Sequence, residues 1–283
     1  MPSPTVRILL KDCVHPDPGA MKLCLDVGVT HLALSLHLIS DHSLIGYEFY
    51  SFPENRNNLA ELASALIESP LIVISVGHVR IVYNTPESVL VPDEMFSPEI
   101  APIFLEVAQG DLTPGSVMLH EHYAEESICH VYRVPKWMQQ ELQLRFHSAT
   151  TSHVMGHMLT STRNPLTPQD GSIHLWFYSG RAVMLIRNNS KVVLWQSIPY
   201  DIPEDIIYAV LNTCEQYSLN PLKIPLYVCG LIEETSVLYV ELMRHFSQVI
   251  LDRRQVRFSQ NDFFSSYPAH YFTPACCLEA CES

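Results

Sequence analysis

The sequence predicts an α/β protein built from one unit used twice, and three observations carry that reading. Two stretches, beginning at Lys22 and at Gly171, each read as three consecutive strands, a helix and a further strand. The turns joining the strands are short and polar in both, as tight hairpins require. Each copy crosses over through one capped helix, and the second of these carries its apolar residues along one stripe, the pattern of a helix that covers a sheet.

In the first stretch KLCLDVG and THLALSLHLIS form two strands, a turn at Asp41 to Ser43 leads into LIGYEFYSF, NNLAELASALIES is the helix and LIVISVG the closing strand. These runs are largely apolar, and a polar turn separates the second from the third. Asn57 or Asn58 caps the helix. In the second stretch the strands are SIHLWFYSG, AVMLIRN and KVVLWQSIPY, with Asn188-Asn189-Ser190 at one hairpin. The helix PEDIIYAVLNTCEQYS starts behind Asp201 with Pro203 and Glu204, and Ile206, Ile207, Val210, Leu211 and Cys214 form its stripe. IPLYVCG follows as a strand, then a helix in VLYVELMRHF.

Between the copies lie an irregular stretch from Asn84 to Pro98, a helix near Pro98 to Ala108, strands around Val117 to His122 and Ile128 to Val134, and a helix from Pro135. The segment NPLTPQDG, Asn164 to Gly171, is the expected boundary. Residues 1–165 are then the first domain, with an inserted segment at about 84–134, and 166–283 are the second domain with the C-terminal tail. Three antiparallel strands, a helical crossover and a parallel strand make the ribonuclease-H-like βββαβα unit. Two in tandem make the actin-like arrangement, with a cleft between the halves.

Composition narrows the function classes. Thirty acidic against 17 basic side chains give a formal net charge of -13, which disfavours nucleic acid and anionic membrane as partners. The start, MPSPTVRILLKDC, has too short an apolar run for a signal-peptide core, and no segment approaches the ~20 apolar residues of a membrane span. A cytoplasmic protein without membrane insertion is expected. Eight scattered cysteines imply reduced, mostly buried thiols rather than a disulfide framework.

At this point the chain distantly resembles the actin-like superfamily of sugar kinases, heat-shock chaperones and pilus or division assembly proteins. Over nearly its whole length it is similar to an uncharacterised bacterial family, domain-of-unknown-function family 3822. The segments carrying that likeness are Tyr83 to Phe96 (YNTPESVLVPDEMF), Leu194 to Pro221 and Pro225 to Phe246. The resemblance implies a fold and no known activity.

Nucleotide-binding members of the superfamily hold phosphate and magnesium with a carboxylate-plus-glycine turn in each half and a glycine turn near the nucleoside. Asp26 and Gly28, in Leu25-Asp26-Val27-Gly28-Val29-Thr30, resemble the first phosphate turn: glycine admits backbone N–H groups to phosphate, and an aspartate holds a metal-bound water. The matching stretch of the second half, Trp176 to Arg181, has no carboxylate, and aromatics occupy the approach. Phosphoryl transfer rests on positioning and charge stabilisation, so half a metal clamp weakens the kinase reading. Gly230 stands alone in the third turn, followed by Glu233 and Glu234, with Thr235 or Ser236 as a helix cap. The bland reading of Asp26 and Gly230 is structural: a hairpin residue and a capped turn.

No G-x-G-x-x-G, no G-x-x-x-x-G-K-[ST] and no G-x-S-x-G is present. A ribonuclease-H-type nuclease would need further carboxylates on neighbouring strands. His120 with His122, and His153 with His157, have metal-ligand spacing, but ordinary hydrogen-bonding histidines are the expectation. Cys276, Cys277 and Cys281 lie in a tail expected to be loose or loosely docked. Arg253, Arg254 and Arg257 are expected to blunt an edge or pair with acids. Phe263, Phe264, Tyr267, Tyr271 and Phe272 are expected to pack back on the second domain. The expectation is a non-catalytic scaffold or protein-interaction module, a pseudo-ATPase binding an unknown protein partner, with no cofactor or metal. The alternative is a nucleotide-binding protein or weak ATPase using ATP and magnesium at Asp26, Gly28 and Gly230.

Overall fold

The computed structural model describes residues 4–9, 17–53, 58–111, 114–163, 171–188, 191–253, 256–258, 264 and 266–280. Asn57, Asn164 to Asp170, Asn189, Ser190, Arg254, Phe263 and Cys281, singled out above, lie outside the described residues, as does Cys13. Two compact units account for the chain. The first comprises Met1–His157, Arg257–Phe263 and Leu278–Ser283; the second comprises Met158–Val256 and Phe264–Cys277. The last residues thus belong with the first unit rather than with the second domain.

In the first unit β1 (Val6–Leu9), β2 (Met21–Gly28), β3 (His31–Leu38), β4 (Leu44–Ser51), β5 (His78–Asn84) and β9 (Thr150–His153) form one sheet in the order β1-β4-β3-β2-β5-β9. The β2, β3 and β4 strands make an antiparallel meander, and β5 returns parallel to β2 after helix α1 (Asn58–Glu68). Leu62, Ala65 and Leu66 are the buried stripe of α1. They pack in one core with Leu23, Leu25 and Val27 of β2 and Leu34 and Leu36 of β3. Each such leucine contributes roughly 2 kcal/mol by leaving water.

The sequence places the fifth strand at Leu71 to Gly77, and the structure corrects it. Those residues form turns, with Ile72 N–H donating to Ser69 C=O and Ile74 N–H to Leu71 C=O. The strand is β5, seven residues later, and Lys22 pairs with His78.

The insertion folds as a separate sheet of β6 (Ser88–Pro92), β7 (Ser116–Tyr123) and β8 (Ile128–Pro135), in the order β6-β8-β7. Helices α2 (Ala101–Gln109) and α3 (Lys136–Arg145) accompany it, and α4 (Val154–Thr162) follows β9. The stretch from Asn84 to Pro98, expected to be irregular, therefore contains a strand.

The second unit has β10 (Ser172–Tyr178), β11 (Arg181–Asn188), β12 (Lys191–Pro199), β13 (Leu226–Gly230) and β14 (Val249–Leu251), in the order β12-β11-β10-β13-β14. The β13 strand runs parallel to β10 after helix α5 (Pro203–Gln216), and α6 (Val237–His245) precedes β14. Both large sheets thus share one order: third strand, second, first, then the parallel strand. Ile206, Val210, Thr213 and Cys214 are buried in α5. Its start is tied down by Asp205, whose carboxylate accepts from Asp201 N–H and Ile202 N–H, so the acid one turn in acts as the cap rather than Asp201.

The C-terminal tail is a further correction. Thr273–Ala280 form helix α7, and Cys276 and Cys277 are buried in it. Its last residues are held in the first unit. Arg80 donates to Leu278 C=O at 2.8 Å, Lys22 donates to Glu279 C=O at 3.0 Å, and the Glu279 carboxylate meets His42 at 2.7 Å. Phe264 and Phe272 are buried, their rings edge-on at 5.2 Å. The described cysteines are all buried.

Candidate functional site

Asp26 stands near the C-terminal end of β2 and is only 3% exposed. Asn84, the last residue of β5, donates its amide to Asp26 Oδ1 at 2.9 Å. His31, the first residue of β3, brings Nε2 to the same oxygen at 3.1 Å, the geometry of an imidazole N–H donor. Strand register explains the meeting, because Gly28 pairs with Asn84 across the parallel ladder while the hairpin folds His31 back beside β2. The His31 ring stacks on Phe49 at 5.8 Å. A β-carbon on Gly28 would lie 2.3 Å from the His31 ring. Gly28 therefore makes room for an imidazole, and that imidazole faces the carboxylate a metal would need.

Gly230 ends β13 with φ +82, in the left-handed region, and a β-carbon there would sit 2.2 Å from Phe177 C=O. Leu231 N–H donates to that carbonyl at 2.8 Å. The turn closes onto β10, and Ser236 caps α6 by accepting from Tyr239 N–H at 3.2 Å. In the β10–β11 hairpin Trp176, Phe177 and Tyr178 are buried. Arg181 lies 5.5 Å from the Tyr178 ring centroid and donates to Ser197 at 3.1 Å. A cation over an aromatic face stands in the stretch that corresponds to the Asp26 turn. Asp26 and Gly28 lie together in the first unit; Gly230 lies in the second.

Beside the Asp26 turn is a pocket of about 200 Å³ lined by Val29, Pro86, Pro114, Pro135 and Trp137, with Thr85, Glu87, Ser116 and Arg133 as its polar groups. Arg133 is buried, donating to Gly110 C=O at 3.0 Å and Asp111 C=O at 3.1 Å, with Glu87 at 3.3 Å. Drug-sized ligands and cofactors occupy pockets of about 300–1,000 Å³. This one matches a single apolar side chain with a polar tip.

The histidine pairs are engaged locally. His122 packs edge-on against both Phe96 and His120, and it faces Asp93 at 3.3 Å. His153 accepts from Met155 N–H and reaches Thr85 C=O at 3.2 Å, while His157 meets Ser152 at 2.8 Å. Among the described residues no three His, Cys, Asp or Glu side chains group as a metal would require. Arg253 pairs with Glu234, and Arg257 donates to Asp41 C=O.

Sequence reasoning missed His31, Asn84, Arg133 and Trp137. Asn84 was hidden because the fifth strand was expected to end at Gly77, which removes its true last residue from the neighbourhood of Asp26.

Solved structures of the actin-like ATPase fold share this architecture. A Bacteroides thetaiotaomicron protein described as having an actin-like ATPase fold and unknown function aligns with TM-score 0.74 at 14% identity, covering 94% of this chain and 97% of that one. The ethanolamine utilization protein EutJ from Carboxydothermus hydrogenoformans aligns with TM-score 0.54 at 10% identity, over 96% and 93%. A chain of a PilM-PilN type IV pilus biogenesis complex aligns with TM-score 0.54 at 13% identity, over 91% and 97%. The sequence profile of the family described as Protein of unknown function (DUF3822) matches residues 17–249, and the chain belongs to that family. No curated protein matches. Among the described residues no helix is long and apolar enough to cross a membrane.

Proposed function

We propose that this chain is a non-catalytic, actin-like scaffold of two ribonuclease-H-like units that binds a partner protein in the cytoplasm. One observation carries the reading: Oδ1 of Asp26 is already engaged by both His31 and Asn84 in a buried cluster. Freeing it for a magnesium-bound water would break two buried hydrogen bonds to a carboxylate, at about 1.5–3 kcal/mol each. On the second unit's side Arg181 and Tyr178 fill the corresponding hairpin. The pocket beside Asp26 supports a protein partner, since its size and its Pro, Val and Trp lining suit one apolar side chain with a polar group against Arg133. A PilM-PilN complex among the structural neighbours is consistent with an actin-like fold put to protein binding.

The test has two arms. Titration calorimetry with magnesium-ATP should show no binding at micromolar affinity. Affinity capture should retain a stoichiometric protein that Trp137→Ala loses while keeping the wild-type circular dichroism. Micromolar ATP binding abolished in Asp26→Asn would replace this reading with the nucleotide-binding one, in which Asp26, Gly28 and Gly230 hold the ligand.

A further inference from the structure

The first large sheet has a second hollow, at the opposite end of β2 from Asp26. Strand register builds it. Lys22 stands opposite His78 where β2 and β5 begin, and Arg80 stands opposite Thr150, the first residue of β9. Residues paired across a ladder point to the same face, as do residues two apart on one strand. These four side chains therefore share one face at the amino ends of three parallel strands. They line a cavity of about 510 Å³ together with His42, Ser148 and Glu279, a volume in the range that small organic ligands occupy. All of these residues belong to the first unit.

Charge in the cavity is unbalanced. Arg80 is 7% exposed and the Lys22 side chain 13%. Both donate to one acceptor, the Glu279 C=O, at 3.3 and 3.0 Å, so two cations sit side by side on a single carbonyl. The Glu279 carboxylate lies 2.7 Å from His42 but 3.7 Å from Lys22, beyond hydrogen-bond reach of the ammonium. Arg80 gives Nη1 to the carbonyls of Leu278 and Glu279. Its Nε and Nη2, the adjacent N–H groups of the other guanidinium edge, have no acceptor among the described residues. An edge with two parallel N–H groups is the fork that takes an oxyanion bidentately. Lys22 likewise keeps N–H groups beyond the one given to Glu279 C=O. Neighbouring cations in half-buried surroundings disfavour one another, and an anion between them removes that repulsion.

We propose that this cavity binds a small phosphate-bearing anion, with one phosphate seated on the Nε–Nη2 edge of Arg80 and against Lys22. A planar carboxylate fills the fork alone. A tetrahedral phosphate keeps a third oxygen for Lys22 Nζ, and the Ser148 and Thr150 hydroxyls line the same cavity as further donors. The site is separate from the Asp26 turn, which lies about 13 Å further along β2 at ~3.3 Å per residue.

Calorimetry on the full-length protein, in magnesium-free buffer of low salt where charges are weakly screened, should show one pyrophosphate bound per chain and weaker binding of citrate. Arg80→Lys keeps the charge and loses the fork, and pyrophosphate affinity should fall at least ~10-fold. Should that variant misfold, Ser148→Glu decides. Ser148 is exposed, and a carboxylate there should lower the affinity at least ~10-fold with unchanged circular dichroism. No pyrophosphate binding at millimolar concentration, citrate bound more tightly than pyrophosphate, or an affinity unchanged in well-folded Ser148→Glu would each overturn the proposal. Pyrophosphate binding that well-folded Asp26→Asn abolishes would overturn it by moving the anion to the carboxyl end of β2.

Discussion

The two units share a strand order and differ at the ends of their strands. In the first, the turn after β2 is sealed by a polar cluster in which Asp26 accepts from Asn84 and faces His31. In the second, the matching hairpin is sealed by aromatic burial and an arginine over Tyr178, and the end of β13 is pressed against β10 at Gly230. One edge is capped by β1; the other, at β12, is open among the described residues. The framework is set by burial on both sheet faces, which tolerates many sequences. Strand ends and edges are where two copies of one framework can be given different work.

The largest expected effect tests the second unit's seal. Gly230→Ala forces a side chain into the left-handed region and against a backbone carbonyl that cannot move aside, so a loss of about 4 kcal/mol is expected in urea unfolding. Gly28→Ala meets a side chain instead. Its cost should couple to His31→Ala, the double variant being less destabilised than the sum by at least ~1 kcal/mol. Additive effects would mean that His31 does not occupy the space at Gly28.

Asp26→Ala removes the buried hydrogen bonds that Asn84 and His31 make to the carboxylate, and about 3 kcal/mol should be lost. A variant with an unchanged urea midpoint would show that the first unit's cluster contributes nothing to its seal.

Acid should separate the units more gently. Burial, assisted by the charge of Lys22, lowers the His37 pKa to about 3, and burial does the same for His130. Both stay neutral in the folded protein, whereas the unfolded chain takes up protons below about pH 6.5. Stability is therefore lost as pH falls from about 6.5 toward 3, by up to ~1.4 kcal/mol per pH unit for each histidine. Both belong to the first unit. In the second, burial lowers His270 against an opposing hydrogen bond from its ring to Ile232 C=O. Hydrogen exchange at pH 5 should open β3 and β8 before β10 and β11, and simultaneous opening would erase the distinction.

The smallest effect is at Glu279, whose carboxylate lies 3.7 Å from Lys22 and 2.7 Å from His42. Glu279→Gln should cost about 1 kcal/mol, read as a shift of the melting temperature, because the backbone contacts of the helix end remain.

Most of this architecture was legible because both meanders and both crossover helices carry strong periodic signals. The exception is instructive. LIVISVG looks more like a buried strand than HVRIVYN does, yet HVRIVYN is the strand. Its Arg80 is 7% exposed and finds its acceptors at Leu278 and Glu279. A charge inside a strand argues against burial unless its partner is known, and here the partner is 198 residues away in sequence. The same distance hid the docking of α7, since a short cysteine-rich terminus gives no sign of the cations waiting for its carbonyls. Of the candidate site, Asp26, Gly28 and Gly230 were visible as residue types. The groups that occupy them were not, because His31, Asn84 and Phe177 are brought there by register.

The return of the C-terminus has a consequence for synthesis. The backbone passes from one unit to the other after His157, Val256, Phe263 and Cys277, so no uninterrupted fragment contains the whole of either. Lys22 and Arg80 leave the ribosome 257 and 198 residues ahead of carbonyls they bind. The first half of the polypeptide must therefore wait, with two cations unanswered, until Leu278 and Glu279 have been made.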